Sequence, residues 1–321
     1  MNTGSIKPTP IHKLDDNELS SLYVKREDMI PYSFGGNKAR KALLFFEEID
    51  RLGADVVVTY GSSHSNHCRV VANMAAARNI PCIIIGPEEV SDTTYNSVLM
   101  ELFGAQIITV PVEKVHDTIE AELERLRKEG KNPYFIMGGG HGNIGTEAYV
   151  RCYDEIADYE KETGIHFDYI FFASGTGTTH AGLVCGQILE ASKNGASKDR
   201  KIIGISIARK NPRGRDVVLD SIYEYLEAKE ISFDRKDVEE KTIFIDDYTG
   251  DGYGKENKDI ENTIKNAMIK YGMPLDVTYT GKAFCGMKDY IRKNNLADKN
   301  ILFIHTGGTP LFFDFLSGAA K

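Results

Sequence analysis

The stretch DYIFFASGTGTTHAG, residues 168–182, decides the fold because it joins a strand, a turn and the start of a helix. After Asp168 the strand residues are apolar, which is typical of a strand buried on both faces of a sheet. The turn contains Gly175 and Gly177, and an apolar helix is predicted over 179–193. A buried strand that leads through such a turn into a helix predicts an α/β protein with a parallel sheet.

The same alternation extends outward through most of the chain. Further strands are predicted at 55–60, 81–86, 106–110, 134–138, 201–207 and 301–306. Helices are predicted at 66–79, 92–103, 113–129 and 145–163, with a short one at the end of the chain. The region 208–280 is less regular and rich in charge, glycine and tyrosine. A chain of 321 residues predicts two domains, at roughly 150 residues each, and the lack of a Pro/Gly/Ser linker predicts that they pack together.

Composition narrows the class of partner and compartment. The chain carries 39 Lys and Arg against 47 Asp and Glu, a formal net charge of −8, which argues against nucleic acid or an anionic membrane as the main partner. No apolar run approaches the ~20 residues of a membrane span, and the start MNTGSIKPTP lacks the apolar core of a secretory signal. Five cysteines, an odd number without a CxxC pair, predict reduced thiols in the cytoplasm.

The turn after strand 168–173 has the character of a phosphate site. Its glycines let the backbone approach a ligand, and the amides at a helix N-terminus can donate to an anion together with threonine hydroxyls. It is not a Walker loop, because no Gly-Lys-Ser/Thr follows, and His180 stands where a dinucleotide fingerprint has its third glycine. A phosphate held by dipoles and hydroxyls alone suits a resident cofactor. The local sequence leaves open an ordinary strand-to-helix turn.

Three other segments carry candidate chemistry. Lys38 follows Gly35 and Gly36 at a predicted helix start, where the dipole and burial would lower the pKa of a nucleophilic amine, although a solvated surface lysine fits the local sequence too. The segment 61–69 contains a His and a Cys at zinc-like spacing but too few ligands nearby, so a polar ligand-binding turn is favoured. The segment 305–310, His-Thr-Gly-Gly-Thr-Pro, ends the last strand and also caps the final helix.

Taken in order, these segments resemble the fold type II enzymes that depend on pyridoxal 5'-phosphate. The closest branch contains D-cysteine desulfhydrase and 1-aminocyclopropane-1-carboxylate (ACC) deaminase. The motifs that carry the resemblance are Pro8-Thr-Pro-Ile, Val24-Lys-Arg-Glu-Asp, Gly35-Gly-Asn-Lys-Ala-Arg-Lys, Ser65-Asn-His, Gly175-Thr-Gly-Thr-Thr-His-Ala-Gly, Tyr279-Thr-Gly-Lys-Ala and His305-Thr-Gly-Gly. They span nearly the whole chain, and the ordered set is specific although no single motif is.

The resemblance implies roles for particular residues. Lys38 is similar to the lysine that binds the cofactor covalently and then moves the α-proton, and Ser65 to a serine near the substrate. Thr306 resembles the residue that faces the pyridine nitrogen, where a neutral hydroxyl gives a milder electron sink that favours elimination. The implied cofactor contacts are Lys38, Asn66, Gly175, Thr176, Gly177, Thr178, Thr179 and Thr306. The implied substrate contacts are His64, Ser65, Asn66, His67, Tyr253, Tyr279 and Thr280, of which Ser65, Tyr253 and Tyr279 join Lys38 as catalytic candidates. No metal is expected.

The family architecture implies two three-layer α/β domains with mainly parallel sheets, as in the tryptophan synthase β chain. Residues 1–41 and 159–321 would form a discontinuous large domain that binds the cofactor, and 42–158 a small inserted domain. A homodimer is usual in the family. The partner expected otherwise is a small amino-acid substrate, with neither nucleic acid nor membrane.

The resemblance implies a lyase that eliminates the β-substituent of an amino acid, converting D-cysteine to pyruvate, ammonia and sulfide. The alternatives are ACC deamination and elimination from another β-substituted amino acid such as cysteate. A binding protein that kept the fold is a further alternative, which Lys38 argues against, and so is a metal-dependent hydrolase that uses His64, His67 and Cys68. Two departures bear on the substrate: Thr280 stands where ACC deaminases have glutamate, and His64 replaces the usual glutamine.

Overall fold

The computed structural model describes residues 7–194, 199–250, 252 and 257–319. The strands are β1 Ile11–Lys13, β2 Leu22–Lys25, β3 Val56–Tyr60, β4 Cys82–Pro87, β5 Gln106–Val110, β6 Pro133–Ile136, β7 Tyr169–Ser174, β8 Lys201–Ser206, β9 Ile243–Ile245 and β10 Ile301–Ile304. The helices are α1 Asn37–Leu52, α2 Asn66–Ala76, α3 Tyr95–Leu102, α4 Val115–Lys128, α5 Asn143–Thr163, α6 Thr178–Asn194, α7 Arg213–Ala228, α8 Arg235–Lys241, α9 Lys258–Tyr271, α10 Thr280–Lys293 and α11 Thr309–Ala319.

The larger sheet has six strands in the order β1-β2-β10-β7-β8-β9. All neighbours are parallel except β1, which pairs antiparallel with β2. Alternate residues of β7 enter two different cores: Ile170 and Phe172 pack with α5, α6 and α7, whereas Phe171 and Ala173 pack with α9, α10 and α11. The sheet therefore lies between two helix layers, as the near-continuous apolar sequence of β7 predicts.

The smaller sheet has four parallel strands in the order β5-β4-β3-β6. It repeats the same layering. Val57 and Ile84 pack with α1 and α2 on one face, and Val58 and Ile85 pack with α4 on the other. The predicted fold class, two three-layer α/β units with mainly parallel sheets, is confirmed.

The two ends of the chain meet in the larger sheet, because β10 lies between β2 and β7. The predicted boundaries at 41/42 and 158/159 fall inside α1 and α5, which both run without a break. From Ala148 onward α5 packs in the core of the larger sheet. The exact division into domains stays a prediction.

The predicted strands and helices are present, with ends that differ by a few residues, but the region 208–280 is more regular than predicted. It contains α7, α8, β9 and α9. Their residues mix charge with spaced apolar positions, so only one face of each is buried and the apolar signal is diluted. The edge strand β1 and its neighbour β2 are not predicted from the sequence, because they are only three and four residues long. In the part of the chain that the structure describes, no helix is long and apolar enough to cross a membrane.

Candidate active site

A cavity of about 300 Å³ lies where the carboxyl ends of strands from both sheets meet. Residues that follow β3 and β6 line one side, and residues that follow β7, β8 and β10 line the other. Eight of the residues predicted for the site line it: Lys38, Ser65, Asn66, His67, Gly175, Thr176, Tyr279 and Thr306. Motifs separated by more than 200 residues thus converge on one pocket, the position where α/β sheets bind ligands.

The other predicted residues lie behind the cavity lining or outside the described chain. Thr178 and Thr179 are buried in the first turn of α6, directly after the lining residues of the glycine turn, and Gly177 precedes them. His64 and Thr280 are not among the residues that line the cavity as the described chain forms it. Tyr253 lies outside the described residues.

Two glycines bring Lys38 to the end of β10. Gly35 and Gly36 have φ angles of +61° and +94°, and a Cβ atom on Gly36 would lie 2.7 Å from the carbonyl oxygen of Thr306. Only glycine fits this approach without a shift of the backbone. The amide of Asn37 then donates to the same Thr306 oxygen over 2.9 Å. The Gly-Gly pair therefore brings the start of α1, which carries Lys38, against the backbone of Thr306 at the end of β10.

The Lys38 amine has a lowered proton affinity. Its Nζ donates to the carbonyl oxygen of Gly139 over 3.0 Å. Burial lowers the pKa of Lys38 from 10.5 to about 8. In roughly a tenth of the molecules the Lys38 amine is then neutral at pH 7, compared with less than one molecule in a thousand for an exposed lysine. A neutral amine is what attack on an aldehyde requires.

The glycine turn presents an anion-binding face at the start of α6. Gly177 has a φ of +106°, and the first-turn amides that follow lack acceptors within the helix. Asn37 Nδ2 donates to Thr179 Oγ1 over 3.1 Å, which orients that hydroxyl. These features suit a phosphate group.

A lysine that the sequence reasoning missed completes this face. Lys41 is 1 % exposed, and its Nζ donates to Thr178 Oγ1 over 2.7 Å. Burial and the nearby charge of Lys38 hold the pKa of Lys41 well below its usual range, and no carboxylate of the described chain forms an ion pair with it. The structure therefore adds a buried amine to the helix dipole and hydroxyls that the sequence predicts at this face. The available signal was the spacing: Lys38 and Lys41 are three residues apart on one helix.

The start of α2 supplies the opposite wall. Ser65 is the N-cap, and its Oγ accepts from the Cys68 amide over 3.1 Å. Asn66 Oδ1 accepts from Asn96 Nδ2 over 3.0 Å, which keeps Asn66 Nδ2 available as a donor. The free first-turn amides and the dipole favour a negatively charged group here.

His67 is a neutral donor in this wall. Thr59 Oγ1 gives its proton to the Ile136 carbonyl over 2.7 Å, so His67 Nε2 must donate to Thr59 Oγ1 over 2.9 Å. Burial and the charges of Lys38 and Lys41 hold the pKa of His67 well below its usual range. His67 is therefore uncharged at neutral pH and its tautomer is fixed.

Thr280, which stands where ACC deaminases have glutamate, has its hydroxyl bonded at the start of its own helix. Its Oγ1 donates to Asp276 Oδ2 over 2.7 Å, and the Asp276 carboxylate also accepts from the amides of Thr278, Tyr279 and Thr280. Burial raises the pKa of Asp276. Thr280 thus helps to close the N-terminal turn of α10 behind the cavity. Thr306, in contrast, lines the cavity.

The structure offers no metal centre in this region. Among the residues that it describes, no group of three or more His, Cys, Asp or Glu side chains could hold a metal ion. Cys68 faces the core, where burial raises the pKa of its thiol to about 12. It is therefore a protonated packing residue rather than a thiolate ligand.

Comparison with known proteins identifies the family. The sequence profile described as "Pyridoxal-phosphate dependent enzyme" matches residues 3–307. The chain belongs to the pyridoxal-phosphate-dependent enzymes. Within this family it is 32% identical to D-cysteine desulfhydrase of Serratia proteamaculans, with 96% of this chain and 93% of that protein covered. It is 33% identical to D-cysteine desulfhydrase of Yersinia pestis, with the same coverage.

Two solved structures have the same fold. One, described as an ACC deaminase homologue, superposes with a TM-score of 0.86 at 31% identity and covers 98% of this chain and 93% of its own. Another, a hydrogen sulfide-producing enzyme from Fusobacterium nucleatum, has a TM-score of 0.63 at 18% identity, with coverages of 95% and 96%. The predictions of the family, of an enzyme and of its cofactor are confirmed.

The residues present fit pyridoxal phosphate. A Cβ atom on Gly139 would lie 2.6 Å from the Thr176 side chain, so the space beside the glycine turn depends on that glycine. Lys41 is a buried amine that forms no ion pair in the described chain, and a phosphate dianion would supply one and favour its protonated form. Lys38 provides an amine of depressed pKa in the same cavity. Together they match a ligand that is both an anion and an aldehyde.

Proposed function

We propose that the protein is a pyridoxal-phosphate-dependent lyase that eliminates the β-substituent of an amino acid, with D-cysteine as the preferred substrate. With one water, D-cysteine would give pyruvate, ammonia and hydrogen sulfide. The main observation behind this proposal is that Lys38 and Thr306 line the same cavity. The pocket thereby combines an amine that can transfer a proton with a neutral hydroxyl. The names of the desulfhydrase relatives support the substrate.

The cofactor, when bound, withdraws electrons from the substrate's α-carbon. Its phosphate would be held by the amides and hydroxyls of Gly175 to Thr179 and by Lys41. Asn66 Nδ2 would donate to the ring hydroxyl, and Thr306 Oγ1 would meet the ring nitrogen without placing a full positive charge there. A ring that is not protonated favours loss of a leaving group over transamination.

The remaining residues are proposed to act on the substrate. Its carboxylate would bind at the N-terminus of α2, beside the Ser65 hydroxyl and the first amides. Lys38 would take the α-proton once its amine is released. Tyr279, which lines the cavity at the start of α10, would donate or accept a proton near the leaving group, and Tyr253 is proposed as a second tyrosine of the pocket.

The second candidate activity is the opening of ACC, which the similarity to the ACC deaminase homologue supports. Against it, the described residues that line the cavity include no carboxylate, and Thr280 lies behind Tyr279 where the deaminases have glutamate. Elimination from another β-substituted amino acid, such as cysteate, uses the same groups as the first candidate.

A panel of amino acids tests the proposal. D- and L-cysteine, D- and L-β-chloroalanine, cysteate and ACC are each incubated with the purified enzyme, and the 2-oxo acid released is measured, which is pyruvate from the three-carbon substrates and 2-oxobutyrate from ACC. We expect release from D-cysteine and D-β-chloroalanine, and little from ACC. Efficient release of 2-oxobutyrate from ACC alone would favour the second candidate, and no 2-oxo acid from any of them would refute both.

We also propose a cytoplasmic homodimer with domains divided at 1–41 and 159–321 against 42–158, acting on no nucleic acid. Five free cysteines, four of them buried, support a reducing compartment.

Exposed apolar side chains on α3 and α11 support an interface between two copies. They are Tyr95, Val98, Leu102, Phe313 and Leu316. Sedimentation of the wild type and of a Leu102→Glu variant, whose side chain is 75% exposed, tests this surface.

A further inference from the structure

Lys282 is a buried lysine to which the proposed chemistry gives no role. It belongs to the Tyr279-Thr-Gly-Lys-Ala motif at the start of α10, and it is 0% exposed. Its Nζ donates to backbone carbonyl oxygens of three residues: Ile207 over 3.2 Å, Thr249 over 2.8 Å and Gly252 over 2.5 Å. An ammonium is costly to remove from water, so a fold that buries one must supply acceptors for it. Lys282 thereby connects α10 to two other segments of the chain.

Glycines of α10 let Lys282 reach the end of β8. A Cβ atom on Gly286 would lie 3.0 Å from Cγ2 of Ile205, and one on Gly281 would lie 2.6 Å from the carbonyl oxygen of Asp276. Larger residues at these positions would push the helix away from the sheet and from the turn that precedes it. The two glycines therefore hold α10 close enough for the lysine amine to meet the carbonyl that follows β8.

The chain that follows β8 forms one wall of the active-site cavity. Ile207, Ala208 and Arg209 line the cavity, and this stretch is called the 207–209 wall. Ser206 Oγ donates to the carbonyl oxygen of Arg209 over 2.6 Å, which holds the end of the wall against the strand. The Lys282 amine holds its beginning through the Ile207 carbonyl. The wall is therefore fixed at both of its ends.

The 207–209 wall is bonded in turn to the glycine turn after β7. The Ile207 amide donates to the carbonyl oxygen of Ser174 over 3.1 Å, and Arg209 Nη1 donates to that of Gly175 over 3.2 Å. Gly175 begins the segment whose amides and hydroxyls are proposed to hold the cofactor phosphate. Donors bind an anion most tightly when their directions are fixed before the anion arrives. A continuous set of hydrogen bonds thus runs from the Lys282 ammonium to the proposed phosphate site.

We propose that Lys282 is a positioning residue that fixes the 207–209 wall and, through it, holds the glycine turn in the geometry that binds phosphate. The inference rests on the proposed phosphate site but not on the identity of the substrate. Lys282 is not among the residues that line the active-site cavity as the described chain forms it, so it acts through other residues. Its bonds to Thr249 and Gly252 tie a further segment to the same amine, and loss of the amine would release both.

The test compares the cofactor with the same ligand lacking its phosphate. Pyridoxal 5'-phosphate and pyridoxal are each titrated into the apoenzyme of the wild type and of Lys282→Met, and the absorbance of the bound ligand is followed. Methionine keeps the length and the apolar stem but has no N–H donor. We expect the affinity for pyridoxal phosphate to fall about tenfold and that for pyridoxal by less than about twofold. General damage to the cavity would weaken both ligands alike.

Hydrogen exchange of the apoenzyme gives a second readout that needs no ligand. Amides of residues 207–209 and 249–252 should exchange roughly tenfold faster in Lys282→Met, whereas those of β3 in the smaller sheet should not change. The matched control is Lys293→Met, on the same helix. Lys293 is 65% exposed and pairs with Asp289, so its replacement should alter neither ligand affinity nor exchange.

Three results would overturn the inference: an unchanged affinity for pyridoxal phosphate, an equal loss for pyridoxal, or unchanged exchange in the 207–209 wall. If Lys282→Met does not fold, Lys282→Gln takes its place. It retains N–H donors on a shorter side chain and should show a smaller loss for pyridoxal phosphate, again without one for pyridoxal. Neither measurement uses an amino acid, so the inference can hold even if the panel of substrates refutes the proposed lyase.

Discussion

Lys41 Nζ donates to Thr178 Oγ1 over 2.7 Å, and this contact joins α1 to the first turn of α6. The lysine that would bond the cofactor and the lysine that would neutralise its phosphate therefore stand on the same helix, one turn apart. Any movement of α1 shifts both groups together, so the aldehyde and the phosphate ends of the ligand are held at a fixed spacing.

Replacing Lys41 by Met should weaken cofactor binding more than it lowers turnover. A charge-assisted hydrogen bond contributes ~1.5–3 kcal/mol, which corresponds to roughly a ten- to hundredfold loss of affinity. Fluorescence titration of the apoenzyme measures the affinity. Lys128→Met, at an exposed lysine, is the control. Unchanged affinity in Lys41→Met would remove Lys41 from the phosphate site.

Lys38 should be the residue that carries the cofactor. The purified protein should be yellow, and borohydride should bleach it and fix the cofactor irreversibly to the peptide that contains Lys38. The reason is an amine whose pKa is lowered to about 8 by burial. Lys38→Ala should abolish turnover while circular dichroism stays unchanged. Attachment to a peptide without Lys38, found by mass spectrometry, would contradict the assignment.

The threonine hydroxyls of the glycine turn should matter for affinity. Thr179→Val keeps the volume but removes the oxygen that accepts from Asn37 Nδ2 over 3.1 Å. Cofactor affinity should fall by about tenfold, with a smaller effect on turnover at saturating cofactor. Thr176→Val, within the cavity lining, should behave alike. If both variants bind the cofactor as the wild type does, the turn acts through its amides alone.

Residues 64 and 65 should differ in their effect on turnover. Ser65 lines the cavity and caps α2, whereas His64 contributes its carbonyl oxygen to Asn96 Nδ2 at 3.1 Å and lies outside the lining. We expect Ser65→Ala to lower kcat/KM for D-cysteine by about tenfold or more, and His64→Gln to change it severalfold at most. A large gain in His64→Gln would show that His64 reaches the substrate.

A buried ion-pair network should make stability depend on acid pH. Burial opposes the charge of Glu27, but Arg40, at 2.5 Å, and Lys25 outweigh it and hold the pKa of Glu27 at about 2. A lowered folded pKa stabilises the fold above the ordinary value of 4.5, and that stability is lost as the pH falls from 4.5 toward 2.

Glu27→Gln should therefore lower the free energy of unfolding at pH 7 by about 3 kcal/mol, and the difference from wild type should shrink below pH 4. Urea denaturation at both pH values measures it. Glu124→Gln, at the exposed pair with Lys128, is the control and should change the free energy of unfolding by less than about 1 kcal/mol. An equal loss at both pH values would mean that Glu27 acts through packing.

The sequence predicts the strands and helices whose apolar faces are wide, and it fails where burial is one-sided. β3, β4, β7 and β8 lie in the middle of their sheets, so their apolar runs are nearly continuous. The helix α9 is amphipathic and charged, with Ile260 and Ile264 buried among exposed lysines. Its pattern is spread too thinly to stand out from a loop.

The site residues could be predicted where a motif carries them and not where a tertiary contact does. Lys38 and Thr306 sit in recognisable glycine motifs. Lys41 sits on a helix face whose environment is decided by a distant residue, Thr178, so its burial cannot be predicted from the sequence. For the same reason, the sequence does not reveal that the Thr280 hydroxyl donates to Asp276.

The position of β10 between β2 and β7 also sets an order of events during synthesis. The smaller sheet is complete once Ile136 has left the ribosome, because β3 to β6 are consecutive in the chain. The larger sheet lacks its central pairing until Ile304 emerges, and Thr306 follows two residues later. A nascent chain therefore holds Lys38 long before it has a pocket, and a transcript cut short by some twenty codons would yield a protein with no place for its coenzyme.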